Sequence, residues 1–254
     1  MKRYYSLNFL SRFLFLILTP IFFQYFALGF IWHSIYWGVI TFVVMIWAGF
    51  ILLSPLIGRI GCGWFCFMGT VSDYAGAHAF RESRQKHPKV LLRIIPFIAF
   101  FTSSIIFYFL NREQGLTHNF KVIPDFLSLN MNGHYRMVWA GDVLFALVLS
   151  LFLNKRWGCK NLCMMGGMCA IGAKYSRLLP VVDTTKCTLC RKCENECLVG
   201  IPIIKYIENN GLITNSECIL CGKCVQVCKS KAIKINFVWN RKKYVRKTFN
   251  MPNA

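Results

Sequence analysis

Residues Cys187-Thr188-Leu189-Cys190-Arg191-Lys192-Cys193 are followed four positions on by Cys197, and Cys218-Ile219-Leu220-Cys221-Gly222-Lys223-Cys224 are followed four positions on by Cys228. Both stretches read C-x2-C-x2-C-x3-C. The second repeats the first at an offset of 31 residues, with Leu220 matching Leu189 and Lys223 matching Lys192. A 4Fe–4S cube takes a thiolate at each of its four iron corners, so three closely spaced cysteines wrap one face and a fourth arrives from elsewhere. Zinc sites use pairs of ligands instead of this triple-plus-one pattern. Disulfides are disfavoured for a segment expected to be cytoplasmic, where thiols stay reduced.

This stretch resembles the bacterial two-cluster ferredoxin domain, over residues 181–238. In such domains the fourth cysteine of each run ligates the other cluster. The resemblance thus assigns Cys187, Cys190, Cys193 and Cys228 to one cluster, and Cys218, Cys221, Cys224 and Cys197 to the other. The proline that usually follows the fourth cysteine is replaced by Leu198 and Lys229. That proline shapes a turn and is not a ligand, so its loss bears on turn geometry and potential.

Upstream, the composition is different. Of the 254 residues 56% are hydrophobic and 16% charged, with a mean hydropathy of +0.45. A soluble domain carries about a quarter charged residues, and a disordered chain would need low hydrophobicity. Four apolar runs account for the bias: Leu10–Ile31, Ile35–Ile57, Val90–Leu110 and Met137–Leu153. A bilayer core of about 30 Å needs about 20 helical residues, so these predict four transmembrane helices; the alternative is a buried helical core. The first run is too long for a cleaved signal peptide and lacks a small-residue cleavage site. The expected architecture is a four-helix membrane domain over residues 1–179, a small α+β two-cluster ferredoxin-like domain over 180–238, and a basic tail over 239–254.

The net charge of +20 would suggest nucleic acid in a polar protein, but in an apolar one it reflects basic loops on the inner face of a membrane. Lys2, Arg3 and Arg12 flank the first run, Arg59, Arg81, Arg84, Lys86, Lys89 and Arg93 fall between the second and third, and Lys155 and Arg156 open a basic remainder. Both termini and the cysteine repeat are expected on the cytoplasmic side of the cell (inner) membrane. Trp32, Trp37, Trp139 and Trp157 lie near run ends, as in an aromatic belt.

The inner ends of the second and fourth runs carry Gly58-Arg59-Ile60-Gly61-Cys62-Gly63-Trp64-Phe65-Cys66-Phe67-Met68-Gly69 and Arg156-Trp157-Gly158-Cys159-Lys160-Asn161-Leu162-Cys163-Met164-Met165-Gly166. With four membrane helices and a C-terminal two-cluster ferredoxin, these two C-x3-C motifs make the chain similar to the NapH-type membrane polyferredoxins, whose core is shared by NosR and the CcoG-type oxidase-assembly proteins. The family writes C-x3-C-P, whereas Phe67 and Met164 follow the second cysteine here. The resemblance implies a quinol-dehydrogenase-like electron-transfer subunit working between the quinone pool and a partner reductase system. Its alternative is a copper-reducing or metalloenzyme-assembly reductase of the CcoG type.

On one helix, positions i and i+4 share a face. Cys62 with Cys66 and Cys159 with Cys163 would then converge on a four-thiolate metal or cluster site or a redox-active dithiol; otherwise they are small packing residues. Cys163-Met164-Met165-Gly166-Gly167-Met168-Cys169, with Met68 near Cys66, offers soft ligands suited to Cu(I), though methionine also fills gaps in apolar cores.

Polar groups at bilayer depth are functional candidates by default, which makes Gln24 and Asp142 candidate quinone contacts. No run carries a mid-depth histidine to hold a haem. The tail Arg241-Lys242-Lys243-Tyr244-Val245-Arg246-Lys247 suits anionic lipid, at about 1 kcal/mol per charge, or an acidic redox partner, in preference to nucleic acid.

Overall fold

A computed structural model describes residues 2–22, 39–77, 90–113, 121–123, 133–153, 155–209 and 211–241. Long helices come first: α1 (Lys2–Phe22), α2 (Phe42–Ile57), α5 (Val90–Glu113) and α6 (Gly133–Phe152). Two helix pairs follow α2 and α6: α3 (Ile60–Trp64) with α4 (Phe67–Ala77), and α7 (Trp157–Asn161) with α8 (Met164–Ala173). The helices run where the apolar residues are dense, but their outward faces stay uncovered. Ile95, Ile98, Ile105, Ile106 and Phe109 of α5 are all exposed. Among the described residues one helix, over Arg93–Leu110, is long and apolar enough to cross a membrane, and Leu7–Leu18, Val44–Ile57, Ala140–Phe152 and Met164–Ala173 form shorter apolar helices.

One element departs from expectation. The second apolar run was expected to be helical from Ile35, but its helix begins at Phe42. Val39–Thr41 form a strand, β1, paired in parallel with β2 (Lys121–Ile123), Val39 opposite Lys121. β-Branched Val39, Ile40 and Thr41 suit an extended backbone. Gly58 closes α2 at φ +66°, where its amide reaches the Ser54 carbonyl at 2.9 Å, a left-handed cap open to a residue without Cβ.

The two halves of the helical region exchange partners. Helix α4, following the first C-x3-C motif, packs on α6, which precedes the second; α8, following the second, packs on α2, which precedes the first. The C-terminal domain is built on an antiparallel pair, β3 (Leu178–Val182) and β4 (Ile233–Phe237), with Pro180 opposite Ile235. Short helices α9 (Lys192–Asn195), α10 (Ile203–Asn209) and α11 (Lys223–Val227) lie between the strands. Val182, Ile201, Ile203, Ile213, Ile219 and Ile233 form its core, against which Cys187, Cys197, Cys218, Cys221, Cys224, Cys228 and also Cys62 pack.

Candidate iron–sulfur sites

The 31-residue repeat is a repeat of backbone conformation. Leu189 and Leu220 take φ of 52° and 53°, Arg191 and Gly222 take 57° and 78°, and Gly200 and Lys231 take 69° and 53°. Each pair is offset by 31 residues. Left-handed φ is disfavoured for residues with a Cβ, so its recurrence at Leu189, Leu220, Arg191 and Lys231 marks a geometry that the local chain is required to hold. The turns direct amides at sulfur: Lys192 N–H donates to Cys190 and Lys223 N–H to Cys221, at matching positions. The Ile201 amide lies 3.4 Å from Cys197 Sγ. Such concavities lined by amides accommodate anions. The donor set therefore fits clusters held by thiolates.

Proximity follows the crossed pattern. Cys193 lies within electrostatic reach of Cys187 and Cys228, while Cys218 and Cys221 are in reach of Cys197. Cys224, near the middle, feels Cys221, Cys218, Cys197 and Cys193. Burial pushes the Cys218 thiol up to about 12 and those of Cys221 and Cys193 up to about 11. Cys190 is exposed, and the Lys192 amide lowers its thiol. Ligation needs the thiolate and releases those protons.

The C-x3-C motifs are not continuous helices, which corrects the one-face reading. Cys62 lies inside α3, but α3 ends at Trp64; Cys66 precedes α4, and Cys163 caps α8, its Sγ accepting from the Gly166 amide at 3.3 Å. Both breaks are made alike. Phe65 and Cys66 both donate to the Gly61 carbonyl at 3.0 and 3.2 Å, as Leu162 and Cys163 do to that of Gly158 at 2.9 Å each. The matching extends to R-x-G-C-x3-C-x-M-G, from Arg59 to Gly69 and from Arg156 to Gly166, at an offset of 97 residues.

Despite the breaks, the four cysteines are electrostatic neighbours. Cys66 lies within electrostatic reach of Cys159, Cys62 and Cys163, and Cys159 within reach of Cys163 and Cys62. Burial raises the Cys66 thiol and pushes that of Cys159 up to about 11. Cys169, in α8, is buried, and burial pushes its thiol up to about 12. Among the described residues no group of three or more His, Cys, Asp or Glu is arranged around a single metal ion. That holds for the ferredoxin-like cysteines as well, and a cube spreads its thiolates more widely than one ion does.

Sequence reasoning missed the charged residues that frame this junction. Arg156 is buried and gives Nε and Nη2 to Asp73 at 2.7 and 2.6 Å, and Nη1 to the Cys62 carbonyl at 3.1 Å. Arg12 also binds Asp73. Arg59 gives Nη1 to Glu217 at 2.6 Å, and Arg93 grips the same carboxylate with two bonds of 2.8 Å. Burial opposes charge on Arg59, but Cys62 and Glu217 outweigh it and raise its pKa. Glu217 directly precedes Cys218, so the four-cysteine junction and the second ferredoxin-like copy share an anchor. Trp64 Nε1 donates to the Leu220 carbonyl at 3.3 Å, and a Cβ on Gly63 would lie 2.1 Å from the Ile219 carbonyl oxygen. The 97-residue repeat, which the sequence contains, is a signal that could have found Arg59 and Arg156; Asp73 and Glu217 left none. Asp142 sits half-buried in α6, whereas Gln24, Trp32, Trp37 and the tail beyond Arg241 lie outside the described residues.

The 4Fe–4S dicluster domain family matches residues 179–229, and a 4Fe–4S binding domain family matches residues 39–86. Over 175 residues the chain is 26% identical to YccM of Escherichia coli (strain K12), named as a candidate electron transport protein; the match covers 65% of this chain and 48% of that one. It is 30% identical over 181 residues to protein NirI of Paracoccus denitrificans (strain Pd 1222), covering 68% of this chain and 26% of NirI. These matches support a NapH-type polyferredoxin-like 4Fe–4S protein, at distant identity. An uncharacterised protein of Methanocaldococcus jannaschii is also similar to this chain, at 28% over 195 residues, covering 76% of this chain and 71% of that one. The chain thus spans about half the length of YccM. No solved structure matches it. Both matched segments belong to families that bind 4Fe–4S clusters.

Proposed function

We propose that the chain is a multi-pass membrane carrier that moves electrons, one at a time, between the quinone pool and a cytoplasmic redox partner. Cys187, Cys190, Cys193 and Cys228 would hold one cluster, and Cys218, Cys221, Cys224 and Cys197 the other. The observation that carries this reading is the paired left-handed turns at Leu189/Leu220 and Arg191/Gly222, which cradle the two cysteine runs identically. When bound, the clusters supply one-electron redox chemistry. The chain's own residues supply the amides at the sulfurs, the apolar core that excludes water, and the ion pairs that fasten the domain to the helices.

The membrane part of the proposal is supported by apolar side chains left exposed along α1, α5 and α6, among them Leu14, Ile17, Ile95, Ile106 and Leu144. In water that surface would drive aggregation; in lipid it needs no cover. Four spans with both termini inside agree with the Lys/Arg distribution. A quinone has a candidate seat in a cleft of about 580 Å³ lined by Ile60, Trp64, Phe65, Leu178, Val225, Lys234, Ile235 and Asn236. This volume lies in the range of small-molecule sites, and Val225 is the neighbour of Cys224. The basic tail would draw an acidic redox partner, with attraction that weakens as salt rises.

Proteoliposomes carrying the anaerobically purified chain test the proposal. Added menaquinol analogue, or its quinone against pre-reduced protein, is expected to bleach or restore the cluster absorbance, and Trp64→Ala to slow the exchange. Clusters that respond to dithionite but never to a quinone couple would remove the quinone pool from this account.

A further inference from the structure

We infer that Cys62, Cys66, Cys159 and Cys163 jointly ligate a third iron–sulfur cluster, at the pseudo-two-fold junction of the two C-x3-C repeats and beside the Cys218–Cys224 site. The inference rests on the reading of the chain as an iron–sulfur carrier.

The first argument is a count of ligands. Residues 39–86 match a 4Fe–4S binding family, yet contain only two cysteines, Cys62 and Cys66. A cube takes four thiolates. Cys159 and Cys163, outside both matched segments, occupy the same places in the second repeat and come within electrostatic reach of the first pair. The exchange of helices, α4 onto α6 and α8 onto α2, closes the two pairs on each other.

Charge gives the second argument. The repeats also exchange their arginines. A Cβ on Gly166 would lie 2.7 Å from Arg59 Nη2 and 3.5 Å from Cys163 Sγ, and a Cβ on the equivalent Gly69 would lie 3.2 Å from Arg156 Nη2. Each motif's guanidinium therefore seats on the other motif's glycine. Around the junction four guanidiniums, of Arg12, Arg59, Arg93 and Arg156, meet two carboxylates, Asp73 and Glu217. Buried charge needs compensation, and with the buried Lys160 ammonium, which feels Cys159, Glu217 and Arg156, three positive charges are in excess. A cube with four thiolates is a dianion when oxidised, and it offsets two of them. The Nε atoms of Arg59 and Arg93 are buried with no hydrogen-bond partner, as donors waiting for such an anion would be.

The position also suits electron transfer. The Gly63 backbone abuts the Ile219 carbonyl, Trp64 holds that of Leu220, and Arg156 lies within electrostatic reach of Cys221. One electron leaves the reduced centre as the neighbouring oxidised centre gains one, with no bond made or broken.

The test is iron, acid-labile sulfide, zinc and copper per full-length chain, prepared anaerobically in detergent. About twelve irons with matching sulfide are expected, because three cubes of four irons are bound. Cys62→Ser/Cys66→Ser and Cys159→Ser/Cys163→Ser should each lower the count to about eight, with the EPR of the ferredoxin clusters retained, and Cys169→Ser should change nothing. About eight irons in the unaltered chain, with or without zinc or copper, overturns the third cluster and leaves the ferredoxin reading standing. Fewer irons than that would strike at the ferredoxin reading, and this inference would fall with it. The unaltered chain decides the matter even where a double variant fails to fold.

Discussion

The Arg93 guanidinium meets the Glu217 carboxylate through two hydrogen bonds, Nη1 to Oε1 and Nη2 to Oε2, each of 2.8 Å, and Arg59 Nη1 adds a third, to Oε2 at 2.6 Å. Residues from α5, from the turn after α2 and from the threshold of the second cysteine run thus share one partly buried anion. Removing it would leave two guanidiniums facing each other in a site of low polarity. Glu217→Gln is expected to destabilise the chain by roughly 3–5 kcal/mol, as for a buried pair robbed of one partner. Denaturant titration followed by cluster absorbance would check the value.

The same carboxylate predicts an acid limit. Burial alone would raise Glu217, but the hydrogen bonds from Arg93 and the charge of Arg59 outweigh it and hold the carboxyl below its ordinary 4.5. The folded chain then binds fewer protons here than the unfolded one. The contribution is complete above pH 4.5 and drains away as pH falls through the lower, folded value. Melting temperature should fall with acidification below that point in the parent and stay flatter in Glu217→Gln; equal slopes would contradict the assignment.

Gly63 and Gly49 make a matched pair. A Cβ at Gly63 would meet the Ile219 carbonyl oxygen at 2.1 Å, whereas a Cβ at Gly49 meets nothing within 4 Å. Gly63→Ala should force the second ferredoxin copy away from α3 and cost about 3 kcal/mol. Gly49→Ala, inside α2, should be neutral or stabilising by up to about 1 kcal/mol. Limited proteolysis between the helices and the C-terminal domain would separate the two, since only the first should open the junction.

The left-handed turns invite a further comparison. Gly222 and Arg191 are equivalent, at φ 78° and 57°. Gly222→Val should cost about 1–2 kcal/mol for placing a β-branched residue there and loosen the cluster that includes Cys221. Gly222→Arg should be milder, since Arg191 already holds that conformation. Iron release to a chelator, timed for each variant, gives the order.

Much of this was legible before any coordinates. The triple-plus-one cysteine spacing announced two copies of one cradle, and the left-handed φ values fall at the same 31-residue offset. The apolar runs were legible too, because long hydrophobic stretches carry a signal that survives without tertiary context. The helix breaks at Phe65 and Leu162 were not. They depend on the Gly61 and Gly158 carbonyls each accepting two amides, which no residue pattern advertises. Nor could Glu217 and Asp73 be found. Their partners lie 158 and 124 residues away for Glu217, and 61 and 83 for Asp73, and only the packing of whole helices brings such groups together. Arg59 and Arg156 fall between these cases: the 97-residue repeat contains them, but their exchange across it is a property of the fold.

The central claim is that two cubes sit side by side with crossed fourth ligands. Anaerobic EPR of the dithionite-reduced chain, before and after Cys228→Ser, tests it most directly. The account predicts a magnetically coupled signal in the parent. In the variant it predicts selective loss or conversion of the cluster held by Cys187, Cys190 and Cys193, with that of Cys218, Cys221 and Cys224 retained and its coupling to the lost cluster gone. A variant that instead loses the cluster of Cys218, Cys221 and Cys224, or a parent with no coupled signal, would contradict it.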